Sequence, residues 1–246
     1  MKVWTALGLA AVLLALPAAA ETAKPSAAGL VDGLRCTPFE WVAVEGVSER
    51  AALRVPVRIE GREYAYQLDT GSPTTFIYGS EAFARGWAAE GDETARLRRI
   101  EIGGWKVPPA RLRLMPKRDR PGGTLGLDLL MDRYTIIDYP RRRFCVVGRA
   151  DLPSQLETRT RWVKASLHHG KLFVPMKIGE RWTENVFFDT GASMFPLSVD
   201  LPLWKALTGK ADTAQATTTL RVGSWGRQIP LAGAPTSEAL QVAGVT

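Results

Sequence analysis

The sequence is poor in the residues on which much hydrolytic and redox chemistry depends. Of its 246 residues, two are histidine and two are cysteine. His168 and His169 adjoin Gly170 in what reads as a linker, with no cysteine or acidic cluster beside them, so no metal site is expected. With no third histidine and no Gly-x-Ser-x-Gly, a Ser-His-Asp nucleophile is not expected either. Beyond residue 20 no apolar run is long enough to cross a membrane. The formal charge is +7, but its cations are scattered. The one dense run, Arg141-Arg142-Arg143, follows Tyr139-Pro140 at a turn. No helix or aromatic platform accompanies it, so nucleic acid is not an expected partner.

The N-terminus reads as a secretory signal over residues 1–20. Lys2 gives the positive start, Ala6 to Leu16 the apolar core, and Pro17-Ala18-Ala19-Ala20 a small-residue cleavage site before Glu21. The apolar run is short for a membrane anchor, which is the alternative. The mature chain is then expected to be secreted or periplasmic, without a stable membrane anchor. An even pair of cysteines in an exported chain predicts a Cys36–Cys145 disulfide, the alternative being two free thiols. In the chain-entropy model a loop of that length contributes roughly 4–5 kcal/mol.

What the sequence does have is a tetrapeptide and its echo. Asp69-Thr70-Gly71-Ser72 follows the strand-like Tyr64 to Leu68, and Asp189-Thr190-Gly191-Ala192 follows Asn185 to Phe188. A single Asp-Thr-Gly can be an ordinary β-turn. Two chance copies in one chain have odds on the order of 1 in 1000, and each copy keeps the same company. Leu53-Arg-Val-Pro-Val-Arg-Ile59 matches Leu172-Phe-Val-Pro-Met-Lys-Ile178, and Ile100-Glu-Ile-Gly-Gly-Trp105 matches Leu220-Arg-Val-Gly-Ser-Trp225. Gly103 and Gly223 each lie 34 residues after their aspartate. The pattern is an internal repeat of domain size. An aspartate at a strand end can present its carboxylate to a cleft. Two such carboxylates brought together can share one proton, which is acid/base machinery for adding water to an amide.

Read in order, the chain is mostly β. A leader and strand occupy 21–46, with the strand at Phe39 to Glu45; a first lobe occupies 47–150, a linker 151–166, and a second lobe 167–246. Within lobe one, Glu60 to Glu63 is a turn between strands. Ser80 to Ala88 is a short helix with Ser80 as its cap. A hairpin turns at Gly103-Gly104, and a second one closes across the arginine turn. Lobe two repeats the plan, with a helix at Leu201 to Leu207 and a hairpin turning at Gly223-Ser224. Trp105 and Trp225 fall at matched hairpin positions and read as lobe packing.

With its paired Asp-Thr-Gly loops, Ile100-Glu-Ile-Gly-Gly, Thr124-Leu125-Gly126 before a short helix, and Ile136-Ile137-Asp138 with Phe144, the chain resembles the pepsin and retroviral-protease superfamily of aspartic peptidases. The resemblance covers about Val47 to Val147, and again from Leu167 onward. It implies two tandem retropepsin-like β-barrel lobes, peptide or protein substrates, and no cofactor. It implies that Asp69 and Asp189 are the catalytic dyad. Thr70 and Thr190 would hydrogen-bond across the lobe junction, and Gly71 and Gly191 would allow close approach. Leu125 and Gly126 would thread behind the first loop. Ser72 would hydrogen-bond Asp69, a role Ala192 cannot fill, making Asp69 the more readily ionised partner. A peptide-binding or assembly module on the same fold is the alternative.

Two further expectations concern what surrounds the dyad. The stretches from Asp69 to Ile100 and from Asp189 to Leu220 are short, and neither offers a Gly-rich hairpin tip, so no lid is expected. Thr246 stands as far past Asp189 as Gly126 does past Asp69, so the second lobe is expected to lack its own Leu-Gly segment and closing strands. Either the sequence is a fragment, or the strand at Phe39 to Glu45 or a second chain completes the lobe.

Overall fold

The computed structural model describes Gly29 and residues 31–115, 122–224 and 227–242. The signal segment with its cleavage site, most of the leader, and Trp225 lie outside the described residues. The chain is mostly β, as the pattern predicts. β1 (Thr37–Pro38) and β2 (Glu40–Val44) precede the long strand β3 (Ser48–Ile59), which turns into β4 (Arg62–Leu68). Leu53, Val55, Val57 and Ile59 alternate along β3, Tyr64, Tyr66 and Leu68 along β4, and all seven are buried. Period-two patterning thus places one face of the hairpin in the core. The turn needs left-handed backbone at both central positions, Glu60 (φ 48) and Gly61 (φ 86), which suits a tight two-residue hairpin.

β5 (Phe76–Tyr78) leads directly into α1 (Gly79–Ala84). This helix is shorter than predicted, and its N-cap is Tyr78 rather than Ser80. It stops because Gly86 takes a left-handed turn (φ 67). Gly86 N–H then donates to Phe83 O at 3.0 Å and Trp87 N–H to Ala82 O at 2.9 Å, which satisfies the last carbonyls. β6 (Thr94–Leu97), β7 (Ile100–Ile102), β8 (Trp105–Val107), β9 (Ala110–Met115) and β10 (Gly123–Leu125) complete a nine-stranded sheet. Its order is β6-β9-β5-β10-β4-β3-β7-β8, with β2 also on β3. β10 lies between β4 and β5, parallel to the first and antiparallel to the second. Gly123 is required there, since a Cβ would collide with Phe76 O.

β11 (Tyr134–Asp138) and β12 (Arg143–Val147) form the closing hairpin and join β1 in a three-stranded sheet. Cys36 and Cys145 are disulfide-bonded, tying the start of the described chain to β12. The arginine turn is held as well: Arg141 and Arg143 donate to Asp32 at 2.7 and 3.1 Å.

The predicted linker is not featureless, for α2 (Ser154–Arg159) lies within it. β13 (Ser166–His168) and β14 (Lys171–Ile178) then make a hairpin whose turn is His169 (φ 50) and Gly170 (φ 71). The histidine pair therefore belongs to a β-hairpin rather than a linker. β15 (Arg181–Phe187), α3 (Leu201–Thr208), β16 (Thr218–Ser224), β17 (Arg227–Gly233) and β18 (Leu240–Val242) follow. Asp200 caps α3 by accepting from Leu203 N–H at 3.0 Å, and Gly209 (φ 68) ends it.

Two expectations about lobe two are corrected here. β18 pairs with β14 as Met176↔Val242 and Ile178↔Leu240, whereas β7 pairs with β3 as Val57↔Ile102 and Ile59↔Ile100. The counterpart of Ile100–Ile102 is therefore Leu240–Val242, not Leu220–Val222, and the β16–β17 hairpin is an addition that lobe one lacks among the described residues. The strand near Phe39 does not complete lobe two, because β2 pairs with β3 of lobe one. Among the described residues of lobe two, the buried core is Met176, Ile178 and Leu207, with partly covered neighbours such as Val186 and Leu203. Among the described residues, β15 carries no strand on the side where β4 carries β10.

Candidate active site

Each aspartate stands just past the end of a strand, Asp69 after β4 and Asp189 after β15. The first loop is clamped from behind by the Leu125-Gly126-Leu127 segment. Asp69 N–H donates to Leu125 O at 3.0 Å and Leu127 N–H to Ser72 O at 2.9 Å. Only glycine fits between these contacts, since a Cβ on Gly126 would lie 2.5 Å from Thr74 O. A side-chain relay that the sequence reading missed fixes the clamp. Gly126 N–H donates to Thr75 Oγ1 at 3.0 Å, and the Thr75 hydroxyl donates to Asp128 Oδ1 at 2.6 Å. The same oxygen accepts from Thr75 N–H and Leu129 N–H, both at 2.9 Å. The available signal was a lone acid set between apolar residues, Leu127-Asp128-Leu129.

The two loops are stitched together by their threonines. Thr70 N–H donates to Thr190 Oγ1 and Thr190 N–H to Thr70 Oγ1, both at 3.0 Å. The hydroxyls in turn donate to the strand ends of the opposite lobe, Thr70 to Phe188 O at 2.7 Å and Thr190 to Leu68 O at 3.0 Å. Gln67 Nε2 adds a bond to Gly191 O at 3.2 Å. Ser193 Oγ lies 3.3 Å from Ala51 O and 3.1 Å from Thr190 O. Both threonines are buried, so these bonds work where water cannot replace them.

This stitching brings the carboxyls together. A Cβ on Gly71 would stand 2.5 Å from the Asp189 carboxylate, and one on Gly191 would stand 2.6 Å from that of Asp69. The two glycines are what let each loop back onto the other's aspartate. Burial, then the charge of Asp189 and hydrogen bonding with it, push Asp69 up to about 7, against the opposing pull of the Gly71 and Ser72 N–H groups. Asp189 accepts from Gly191 N–H at 2.8 Å.

The expected role of Ser72 is corrected. Its hydroxyl is fully buried and donates to Thr74 O at 2.6 Å, so it holds the loop rather than the carboxylate. Ala192 closes a short 3-10 turn, Thr190–Ala192, at the cavity wall.

The dyad forms the floor of a cavity of about 570 Å³. Val42, Val44, Ala51 and Ala52 of β2 and β3 line it, with Tyr78, Met115 and Thr124 of lobe one and Met194, Phe195 and Ser198 of lobe two. Leu220, Val222, Ile229 and Leu231 of the β16–β17 hairpin also face it. They are cross-strand pairs, Leu220↔Leu231 and Val222↔Ile229, and so share one face of the ribbon. The expectation that no hairpin stands at the cleft is therefore corrected: β16–β17 borders it with an apolar face. The added residues fall after α3, in the stretch that the repeat had misassigned.

No protein-family model and no curated protein matches this chain. Among solved structures, it is similar to the retroviral protease-like domain of Ddi1 from Leishmania major at 17% identity and a TM-score of 0.30, over 42% of this chain and 98% of that one. It is also similar to a retropepsin-like aspartic protease from Rickettsia conorii at 14% identity and a TM-score of 0.32, over 44% of this chain and 86% of that one.

Proposed function

We propose that the protein is an aspartic endopeptidase acting outside the cytoplasm. The observation that carries this reading is the pairing of Asp69 and Asp189, each backed by the other loop's glycine, at a mainly apolar cavity bordered by the β16–β17 hairpin. Two carboxyls in contact cannot both ionise readily, so near neutral pH and below the pair holds one proton. Asp69 carries it and Asp189 is the base. A water between them loses a proton to Asp189 as its oxygen attacks the peptide carbonyl carbon. Asp69 gives its proton to the carbonyl oxygen, producing a neutral tetrahedral diol. Proton transfer to the amide nitrogen then lets the C–N bond break, releasing acid and amine and restoring the shared proton. Apolar walls favour substrates with apolar side chains near the cleaved bond.

The open side of β15 and the thin core of lobe two favour a second reading, a peptide-binding module on the same frame. Cleavage of an unfolded protein substrate by the chain from Glu21, followed from about pH 3 to 7 beside Asp69→Asn and Asp189→Asn, separates the two. Activity lost in both variants supports the dyad. Activity that survives either substitution rules the dyad out, and a folded but inert wild type leaves the binding module.

A further inference from the structure

Apart from the dyad, one charged residue borders the cavity among the described residues, Arg221. It is exposed, and among the described residues no carboxylate pairs with it. It lies between Leu220 and Val222, whose side chains point to the apolar face of the ribbon, so its own points to the opposite face. Yet Leu220, Arg221, Val222 and Gly223 all border the cavity, whereas on β17 only the alternate residues Ile229 and Leu231 do. Lining by four consecutive residues of β16 against alternate residues of β17 fits a space that extends along the edge of β16. β16 has β17 on one side and, among the described residues, no strand on the other. Its free backbone groups therefore face the same space as the dyad.

We propose that Arg221 is a specificity residue that selects an acidic side chain in a peptide lying along the free edge of β16. Within the proposed peptidase reading, the substrate's residues alternate: some meet the apolar face and the floor, and the one beside Arg221 points the other way. A guanidinium takes a carboxylate by two parallel hydrogen bonds. Because the pair forms at an exposed rim, its effect is modest, about fivefold.

The test uses the full mature chain and acetylated, amidated apolar peptides carrying Glu, Gln or Lys at each position in turn. Binding is measured by fluorescence anisotropy to an Asp189→Asn chain, and cleavage is measured with the unmodified dyad. The expected result is a position where Glu exceeds Gln by about fivefold, with the order reversed toward Lys in Arg221→Glu. A Glu-to-Gln ratio unaltered by Arg221→Glu at every position overturns the proposal. So does preference for a free C-terminal carboxylate over its amide, which assigns the guanidinium to a chain end. Absence of peptide binding by a chain shown to be folded overturns it as well. If binding follows Arg221 but no peptide is cleaved, the peptidase reading falls and the selectivity stands.

Discussion

Thr70 and Thr190 each donate a backbone N–H to the other's hydroxyl at the same distance, 3.0 Å. Each hydroxyl therefore serves as acceptor from one loop and donor to a strand end beyond it. Thr70→Val keeps the shape but strands the Thr190 N–H and the Phe188 carbonyl. The expected loss is about 2–3 kcal/mol, read as a lower urea midpoint. Thr190→Val strands a different pair, the Thr70 N–H and the Leu68 carbonyl, and should cost a similar amount; the departure of the Thr70→Val/Thr190→Val double variant from the sum of the singles measures how strongly the two loops are coupled.

Gly71→Ala and Gly191→Ala should act on activity more than on folding. Each new Cβ would press on the opposite carboxylate, at 2.5 or 2.6 Å in the present geometry. Separation of the dyad by even part of an ångström is expected to lower kcat on the order of 100-fold. Single-turnover cleavage beside circular dichroism would check it; a fully active Gly71→Ala enzyme would show that the loops do not need this approach.

The pH dependence follows from Asp69, held near 7 by burial and by Asp189. Cleavage should fall as the pH rises through about 7, when the shared proton is lost. Stability moves the same way. An unfolded carboxyl titrates near 4, so between about 4 and 7 the folded chain binds more protons. The contribution of Asp69 is thus full below about 4 and is lost as the pH climbs through about 7. Denaturant titrations at several pH values should show this slope in the parent chain and a shallower one in Asp69→Asn.

Asp128 gives a prediction far from the chemistry. Its Oδ1 accepts from two backbone N–H groups and from the Thr75 hydroxyl. Asp128→Ala should cost about 2–3 kcal/mol. For a chain of this size each kcal/mol corresponds to a melting shift of about 2–4 °C. Thr75→Val should weaken the same clamp, and the two losses should not add.

The hairpin beside the cavity can be tested through Ile229, which is 41% exposed although it belongs to an apolar face. Ile229→Asp should barely change the melting temperature, because little buried surface is lost. It should raise KM for apolar peptides several-fold by making the face polar. Equal KM values would mean that substrate does not touch this face.

Much of this was legible from local chemistry. Apolar alternation marked β3 and β4, and Glu60-Gly61 marked their turn. The even cysteine pair anticipated Cys36–Cys145. What misled the reading was degeneracy. An apolar-x-apolar pattern occurs at Ile100, at Leu220 and again at Leu240, with glycine directly after it only at the first two, and a constant offset selects the wrong one. Backbone pairing to β14 decides between them, and pairing is not written in a three-residue pattern. Ser72 misled for a related reason: a hydroxyl near a carboxylate has several acceptors within reach, and the turn offered it Thr74 O first. The clamp through Thr75 and Asp128 joins residues 53 apart and leaves no periodic trace.

The floor of the cavity is nearly two-fold symmetric: the threonine bonds come in mirror pairs, and Gly71 and Gly191 each back onto the opposite aspartate. The β16–β17 ribbon is not, for it comes from one lobe alone. A symmetric floor would accept a peptide running N to C or C to N with equal ease. A ribbon on one side makes the two orientations different complexes, with the acyl and amino halves of the substrate meeting unlike walls. The polarity with which a chain is read is thus set above the dyad, by residues that take no part in moving its protons.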